Sequence, residues 1–439
     1  MGCVRGAIGC VALGMILGSA SAKTALPHQA AQAKQATDSS DDPALDQLLA
    51  DAQADMDRND YAAAADKYQT YLAKRPDDAQ IHFQLGYAYT AQQKMSDARL
   101  EYQKATELNS QLAPAFLNLG LTEMSNDPAA AATALQRAAE LLPDQERPKL
   151  LLATALAHSG KTDEAIAQYQ AAEKLDANDV DVHLGLAQAL LDKKDAAGAE
   201  QEFRAAVALN GQDPSAHYGL GDCLIAEKKY EEGAAEIGTY LQARPNDDRA
   251  RMARASALIE AMKYDEALAE MDHTGPATRE SLEALELRYD ALEGARRDDE
   301  ALATLKQAAA LAPQDAEIHL KTAQLRMTKK DYAAAAREFL TALKLQPQNM
   351  TALDGLANAE YLDKDYTDAQ KAIDLLAQRQ TLPLATLFVR ADCYDKLGKK
   401  AEALDAYEKF LEANTDKNSD MYFAAAARER ELKREIKKN

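Results

Sequence analysis

Along residues 316–349, AEIHLKTAQLRMTKKDYAAAAREFLTALKLQPQN, small and apolar residues fall at helical spacing in two runs separated by a polar stretch. His319, Thr322, Ala323 and Arg326 share one face of a first predicted helix, and Ala335, Phe339 and Ala342 share one face of a second. The stretch TKKDY makes the turn between them. Ala323 and Ala335 let the two backbones approach, Phe339 fills the space beyond, and Pro347 stops the second helix. A helix pair this short cannot bury its own apolar faces, so it must stack on neighbours and the pattern is expected to recur.

It does recur. The small residue that opens the second helix stands at Ala64, Ala98, Ala131, Ala165, Ala199, Gly233, Ala267, Ala301, Ala335, Ala369 and Ala403, a spacing of 34 throughout except for 33 between Ala98 and Ala131. Four residues later comes a large apolar side chain, among them Tyr68, Tyr102, Leu135, Tyr169, Phe203, Ile237 and Phe339. Twelve residues before the marker, or eleven in the third copy, stands a second small residue, as at Ala52, Gly86, Gly120, Ala187 and Gly221. Only Tyr289 breaks that rule.

This pattern resembles the tetratricopeptide repeat (TPR) family, whose repeat carries an aromatic, Leu-Gly, Tyr, then Ala, Phe and Pro at fixed offsets. The best matches are His82-x2-Leu85-Gly86-x2-Tyr89 with Ala98 and Tyr102, His217-x2-Leu220-Gly221-x2-Leu224, and the 316–349 repeat itself. The resemblance implies an all-α fold, a right-handed superhelical solenoid of about eleven TPR helix pairs over residues 45–417, with the first helices lining the concave face. It also implies binding rather than catalysis, so no enzymatic activity is expected.

Both flanks read differently. Residues 1–22, MGCVRGAIGCVALGMILGSASA, carry Arg5, an apolar run from Ala7 to Leu17 and a small-x-small end at Ala20-Ser21-Ala22, the pattern of a secretory signal peptide cleaved after Ala22. The run is too short to span a bilayer comfortably. A lipoprotein reading through Cys10 is disfavoured because too little apolar sequence precedes it. Residues 23–44 are rich in Ala, Gln and Ser and are expected to form a disordered linker. At the other end, 418–439, NSDMYFAAAARERELKREIKKN, is expected to form a single capping helix that turns charged after Ala427.

Composition agrees with a helical array. Hydrophobic residues make up 47% of the chain but aromatics only 6%, so the apolar share is mainly alanine, the strongest helix former. The formal net charge of −20 argues against nucleic acid or anionic lipid as a partner. Outside the leader only Cys223 and Cys393 remain, five repeats apart and beyond disulfide reach; they read as small buried apolar residues. The centre is irregular: Gly275-Pro276 ends a second helix early and bulky Tyr289 follows, which predicts loosened packing over 272–295, either a hinge or a compensated variation without motion.

Candidate chemistry is sparse. His82, His183, His217 and His319 occupy the same place in four different repeats, so they cannot converge on one metal, and neither a metal nor a cofactor is expected. Gly160-Lys161-Thr162 superficially matches a phosphate-binding loop, but here it is a turn between two helices, not a strand-to-helix loop. The sequence has no HExxH, CxxC or GxSxG.

The informative feature is a second stripe on the first helices, which the resemblance places on the concave side. Early in the chain it is apolar, with Phe83, Tyr87, Leu117, Leu121, Met124, Leu150, Leu184, Leu191, Tyr218 and Met252; later it turns acidic, with Glu286, Asp290 and Asp354. Two alternatives follow: a groove for an extended or helical segment of a protein partner, apolar first and cationic after, or burial of these side chains between adjacent first helices. A carboxylate clamp known within the family is not carried over, because of its places here (Phe83, Tyr87, Asn118, Arg147 and Leu151) only Asn118 matches. The expected role is an exported, periplasmic protein-interaction scaffold associated with envelope assembly, secretion or export. The alternative is an accessory subunit that binds a polysaccharide or its synthase.

Overall fold

The structure, a computed structural model, describes residues 42–438. The leader and nearly all of the expected linker lie outside the described residues. Among these, 24 helices and no strands occur: eleven helix pairs from Pro43–Asp57 with Tyr61–Leu72 to Leu384–Lys396 with Lys400–Ala413, a four-residue helix Pro276–Arg279, and a final helix Asp420–Lys438. The first helix starts at Pro43 with Asp42 as its N-cap, so Pro43 and Ala44 belong to the array and not to the linker. Two compact bodies divide at Pro245–Asn246, the first holding repeats one to six and the second repeats seven to eleven with the final helix.

The turn inside each repeat has a fixed construction. Seven residues after the small residue of the first helix the backbone goes left-handed, at Asn59, Gln93, Gly160, Lys194, Lys228, Met262, Arg296, Lys330, Lys364 and Gly398, with φ between 58° and 78°. One such residue reverses the chain so that the second helix folds back on the first. In three of these repeats the following residue caps that helix through its carboxylate: Asp60, Asp195 and Asp365. The third repeat alone lacks the left-handed residue, and it is the repeat of 33: its first helix, Ala113–Glu123, is shorter, and Asp127 caps Pro128–Leu141 directly.

Packing follows the small-and-large code. The small residues Ala64, Ala98, Ala131, Ala165 and Ala199 are fully buried, as are Tyr102 and Leu135 four residues beyond their markers. Each large side chain removed from water in this way contributes roughly 2 kcal/mol. Gly86 is where the ring of Tyr102 comes close, since a β-carbon there would lie 2.7 Å from the ring. A further small position joins neighbouring repeats: Gly185, Gly219 and Gly355 give room to Tyr169, Phe203 and Phe339 of the preceding repeat.

The broken second helix ends at Asp272, as the Gly-Pro pair requires. The segment that follows is braced rather than loosened. Asp248 accepts hydrogen bonds from the Gly275 amide at 2.9 Å and the Thr278 hydroxyl at 2.7 Å, while Arg279 donates to the Asp272 and Thr274 carbonyls. Tyr289 is buried, donates its hydroxyl to Glu293 at 2.9 Å, and carries the Lys321 ammonium over its ring at 4.9 Å. The bulky residue is thus accommodated in the core, with partners in its own helix and in the following repeat.

Candidate functional site

The apolar stripe of the N-terminal body divides in two. Phe83, Leu117, Met124 and Leu184 are core side chains, between 1% and 8% exposed, and so cannot line an open groove. Phe83 meets the Tyr102 ring at 5.9 Å, Leu117 and Met124 pack in one core with Leu135 and Leu152, and Leu184 lies on Val180–Asp192, which touches the first helices on either side, Glu146–His158 and Pro214–Ala226. Tyr87, Leu121, Leu150, Leu191 and Tyr218 stay half-buried. Of these, Tyr87, Leu150 and Leu191 rest against the core, and Tyr218 meets Tyr240 edge-on at 5.0 Å.

In the C-terminal body Met252 is half-buried, while Glu286 and Asp290 are exposed. Asp290 pairs with Lys321 at 3.5 Å. The later acidic residues serve internal bonds: Asp354 accepts from Thr386 and Asn358, each at 3.2 Å, and Asp392 accepts from Tyr361 at 2.9 Å and Tyr407 at 3.3 Å. Asp395 takes a two-pronged contact from Arg428 of the final helix, at 2.5 and 2.8 Å, so this arginine docks the cap on the array.

The four histidines do not meet one another; each builds the same latch. Nδ1 faces a glutamate 19 residues later, at 2.6 Å in His82–Glu101, 2.7 Å in His183–Glu202, 2.6 Å in His217–Glu236 and 2.8 Å in His319–Glu338. Nε2–H donates to the carbonyl six residues earlier, at Pro76, Ala177, Gly211 and Pro313. One ring therefore joins the preceding turn, the first helix and the second helix. At the seventh repeat Arg251 takes the histidine's place and pairs with Glu270 at 2.5 Å. The sequence carries a signal for this latch that the face-by-face reading missed: where the first position is Leu285, Leu353 or Leu387, the residue 19 later is Thr304, Ala372 or Ala406 instead of glutamate.

A carboxylate and a carbonyl are both acceptors, so an imidazole set between them satisfies both only when it carries two protons. For His183 burial opposes the charged form, but the bonds to Glu202 and to the Ala177 carbonyl, with the charges of Glu202 and Glu173, outweigh it and raise the pKa above the ordinary value. Gly160 is the left-handed turn residue and Lys161 begins the next helix, so Gly160-Lys161-Thr162 is a turn between helices. Burial pushes the thiols of Cys223 and Cys393 up to about 12, which keeps both protonated and unreactive.

Family comparison decides what the array is. A model described as Tetratricopeptide repeat matches residues 49–113, 124–180, 150–214, 287–349 and 320–383, more than half of the chain, and two further models of the same description match 190–257 and 384–417. The chain belongs to the tetratricopeptide repeat family. Among solved structures this TPR protein is similar to YrrB, described as a TPR protein with an unusual peptide-binding site, at 18% identity and a TM-score of 0.38, covering 42% of this chain and 96% of that one. It is also similar to a MamA protein at 21% identity and a TM-score of 0.37, covering 38% and 92%, and to MamA from Desulfovibrio magneticus RS-1 at 19% and 0.35, covering 39% and 96%. Comparison with curated proteins gave no match. TPR arrays are protein-interaction scaffolds, and the repeats assign this chain to that class.

Proposed function

We propose that this TPR protein is an exported scaffold that holds a segment of a partner protein against the first helices of its N-terminal body. One observation carries the reading: Leu121, Leu150, Leu191 and Tyr218 stand on the first helices of four consecutive repeats and stay only partly buried although large and apolar. A row of such side chains on adjacent rigid helices suits an extended or helical apolar segment, which takes one anchor per repeat. In the C-terminal body the exposed Glu286 and Asp290 offer a separate contact for cationic side chains. The signal-like residues 1–22 support export to the periplasm and a role in envelope assembly, secretion or export.

The test is affinity capture from the envelope fraction with the wild type and with Leu121→Ser combined with Leu150→Ser and Tyr218→Ser, after circular dichroism has shown the variant folded. A partner retained by the wild type and lost by the folded variant supports the site. Equal retention by both moves binding elsewhere, first to Glu286 and Asp290.

A further inference from the structure

Of the four histidine latches, one has a third member. Ten residues before His183 stands Glu173, whereas the corresponding places before His82, His217 and His319 hold Leu72, Val207 and Ala309. The His183 ring nitrogen and one carboxylate oxygen from each of Glu173 and Glu202 all lie within 4.8 Å of one another. We propose that His183, Glu173 and Glu202 form a binding site for a divalent transition-metal cation of the Zn2+ type.

The chemistry of the donors fits that ion. One imidazole nitrogen and two carboxylates supply three ligands of types that Zn2+ accepts, leaving a fourth position to water, and the two carboxylates neutralise the ion's charge. An imidazole nitrogen at the centre disfavours Ca2+ and Mg2+, which take oxygen ligands. The second ring nitrogen is already committed: Nε2–H donates to the Ala177 carbonyl at 3.1 Å, the outer bond that orients a metal-binding histidine, and Nδ1 faces Glu202. The ion would take the place of the proton now shared between Nδ1 and Glu202, 2.7 Å apart.

The placement is also rigid. Glu173 ends the helix Thr162–Glu173 of the fourth repeat, while His183 and Glu202 lie on Val180–Asp192 and Ala196–Leu209 of the fifth. His183 is 5% exposed and the Glu202 side chain 19%, so the site is walled by protein yet open on one side. A bound ion would fasten the fourth repeat to the fifth, which the other three latches do only through a carbonyl.

The experiment uses the full chain, stripped with a chelator and titrated with Co2+, followed by visible absorption and equilibrium dialysis, with the melting temperature read in Zn2+. The expected result is one equivalent bound per chain, a ligand-field band and a higher melting temperature. Glu173→Leu, which installs the residue of the first latch, and the size-preserving Glu173→Gln should each weaken binding at least about tenfold, while His319→Gln, which breaks a two-membered latch, leaves it unchanged. No saturable binding up to millimolar Co2+ overturns the proposal. So does binding that survives both Glu173 variants, or binding lost with His319→Gln.

Discussion

Phe203 packs its ring over the backbone of Gly219, in the space that a β-carbon on Gly219 would take. The two belong to adjacent repeats, so this contact sets how closely the fifth and sixth repeats stack. Gly219→Ala gains about 1 kcal/mol of helix propensity but forces a buried ring to move, which costs about 1–3 kcal/mol in a packed core. The clash wins. Urea unfolding of the full chain should show a net loss of about 1–2 kcal/mol, and Gly355→Ala against Phe339 should do the same in the C-terminal body.

Glu146 gives the protein a pH dependence. Its Oε1 is buried without a hydrogen-bond partner, and burial, with the charges of Asp179 and Asp176, pushes its pKa up to about 7 although Arg147 opposes. The folded state holds this proton more tightly than the unfolded chain does. Its contribution is therefore fully present below the ordinary carboxylate value of 4.5 and is lost as pH rises towards about 7. Glu146→Gln should match the wild type at pH 4 and exceed it at pH 8 by about 1 kcal/mol, after allowance for partial exposure. Thermal melts of both proteins across this range check the sign.

The left-handed turns predict opposite effects at two equivalent places. Met262 holds φ at 59° with its side chain largely in solvent, so Met262→Gly should stabilise by up to about 1 kcal/mol through relief of backbone strain. Gly398, at φ 72° with open space around it, should lose about 1 kcal/mol as Gly398→Ala. Chemical denaturation of each variant distinguishes backbone strain from contact loss, since neither site packs against anything.

Arg428 tests the cap. Its guanidinium bridges Asp395 to Glu431 and Glu435, and the side chain is 30% exposed against 12% for Asp395. Arg428→Ala should free the final helix, with faster amide exchange and proteolysis over 420–438 and a loss of about 1–2 kcal/mol. Exchange unchanged in that helix would assign its docking to the fully buried Ala425 and Leu432 together with the ion pairs Lys433–Glu408 and Lys400–Glu435.

Much of the architecture was legible because each repeat had to solve one packing problem, and the solution, small against large at fixed offsets, leaves a periodic trace in the sequence. Ala64 and Tyr68, or Ala335 and Phe339, announce their helix pair without further help. The stripe was harder. Whether Phe83 or Leu117 faces solvent depends on how the surrounding helices pack, which no single helix encodes, and both proved to be core. The latch escaped for a different reason. His183 and Glu202 are 19 residues apart on separate helices, a separation that no helical periodicity connects, and Glu173 joins them only through the stacking of two repeats. Tyr289 misled because a large residue at a small position has two outcomes, separation or burial with new partners, and here it is buried with Glu293 and Lys321 as its partners.

The third repeat is one residue shorter than the others, and the difference is absorbed locally. With no left-handed residue and a first helix two residues shorter than those on either side, it keeps Ala131 and Leu135 fully buried and hands the fourth repeat an undisturbed register. Length changes are thus cancelled inside the turn where they arise and do not accumulate down the chain. An array with this property can be edited locally: the Ser125–Asp127 stretch is a place where a short foreign peptide could be spliced in, with the cost confined to a single repeat.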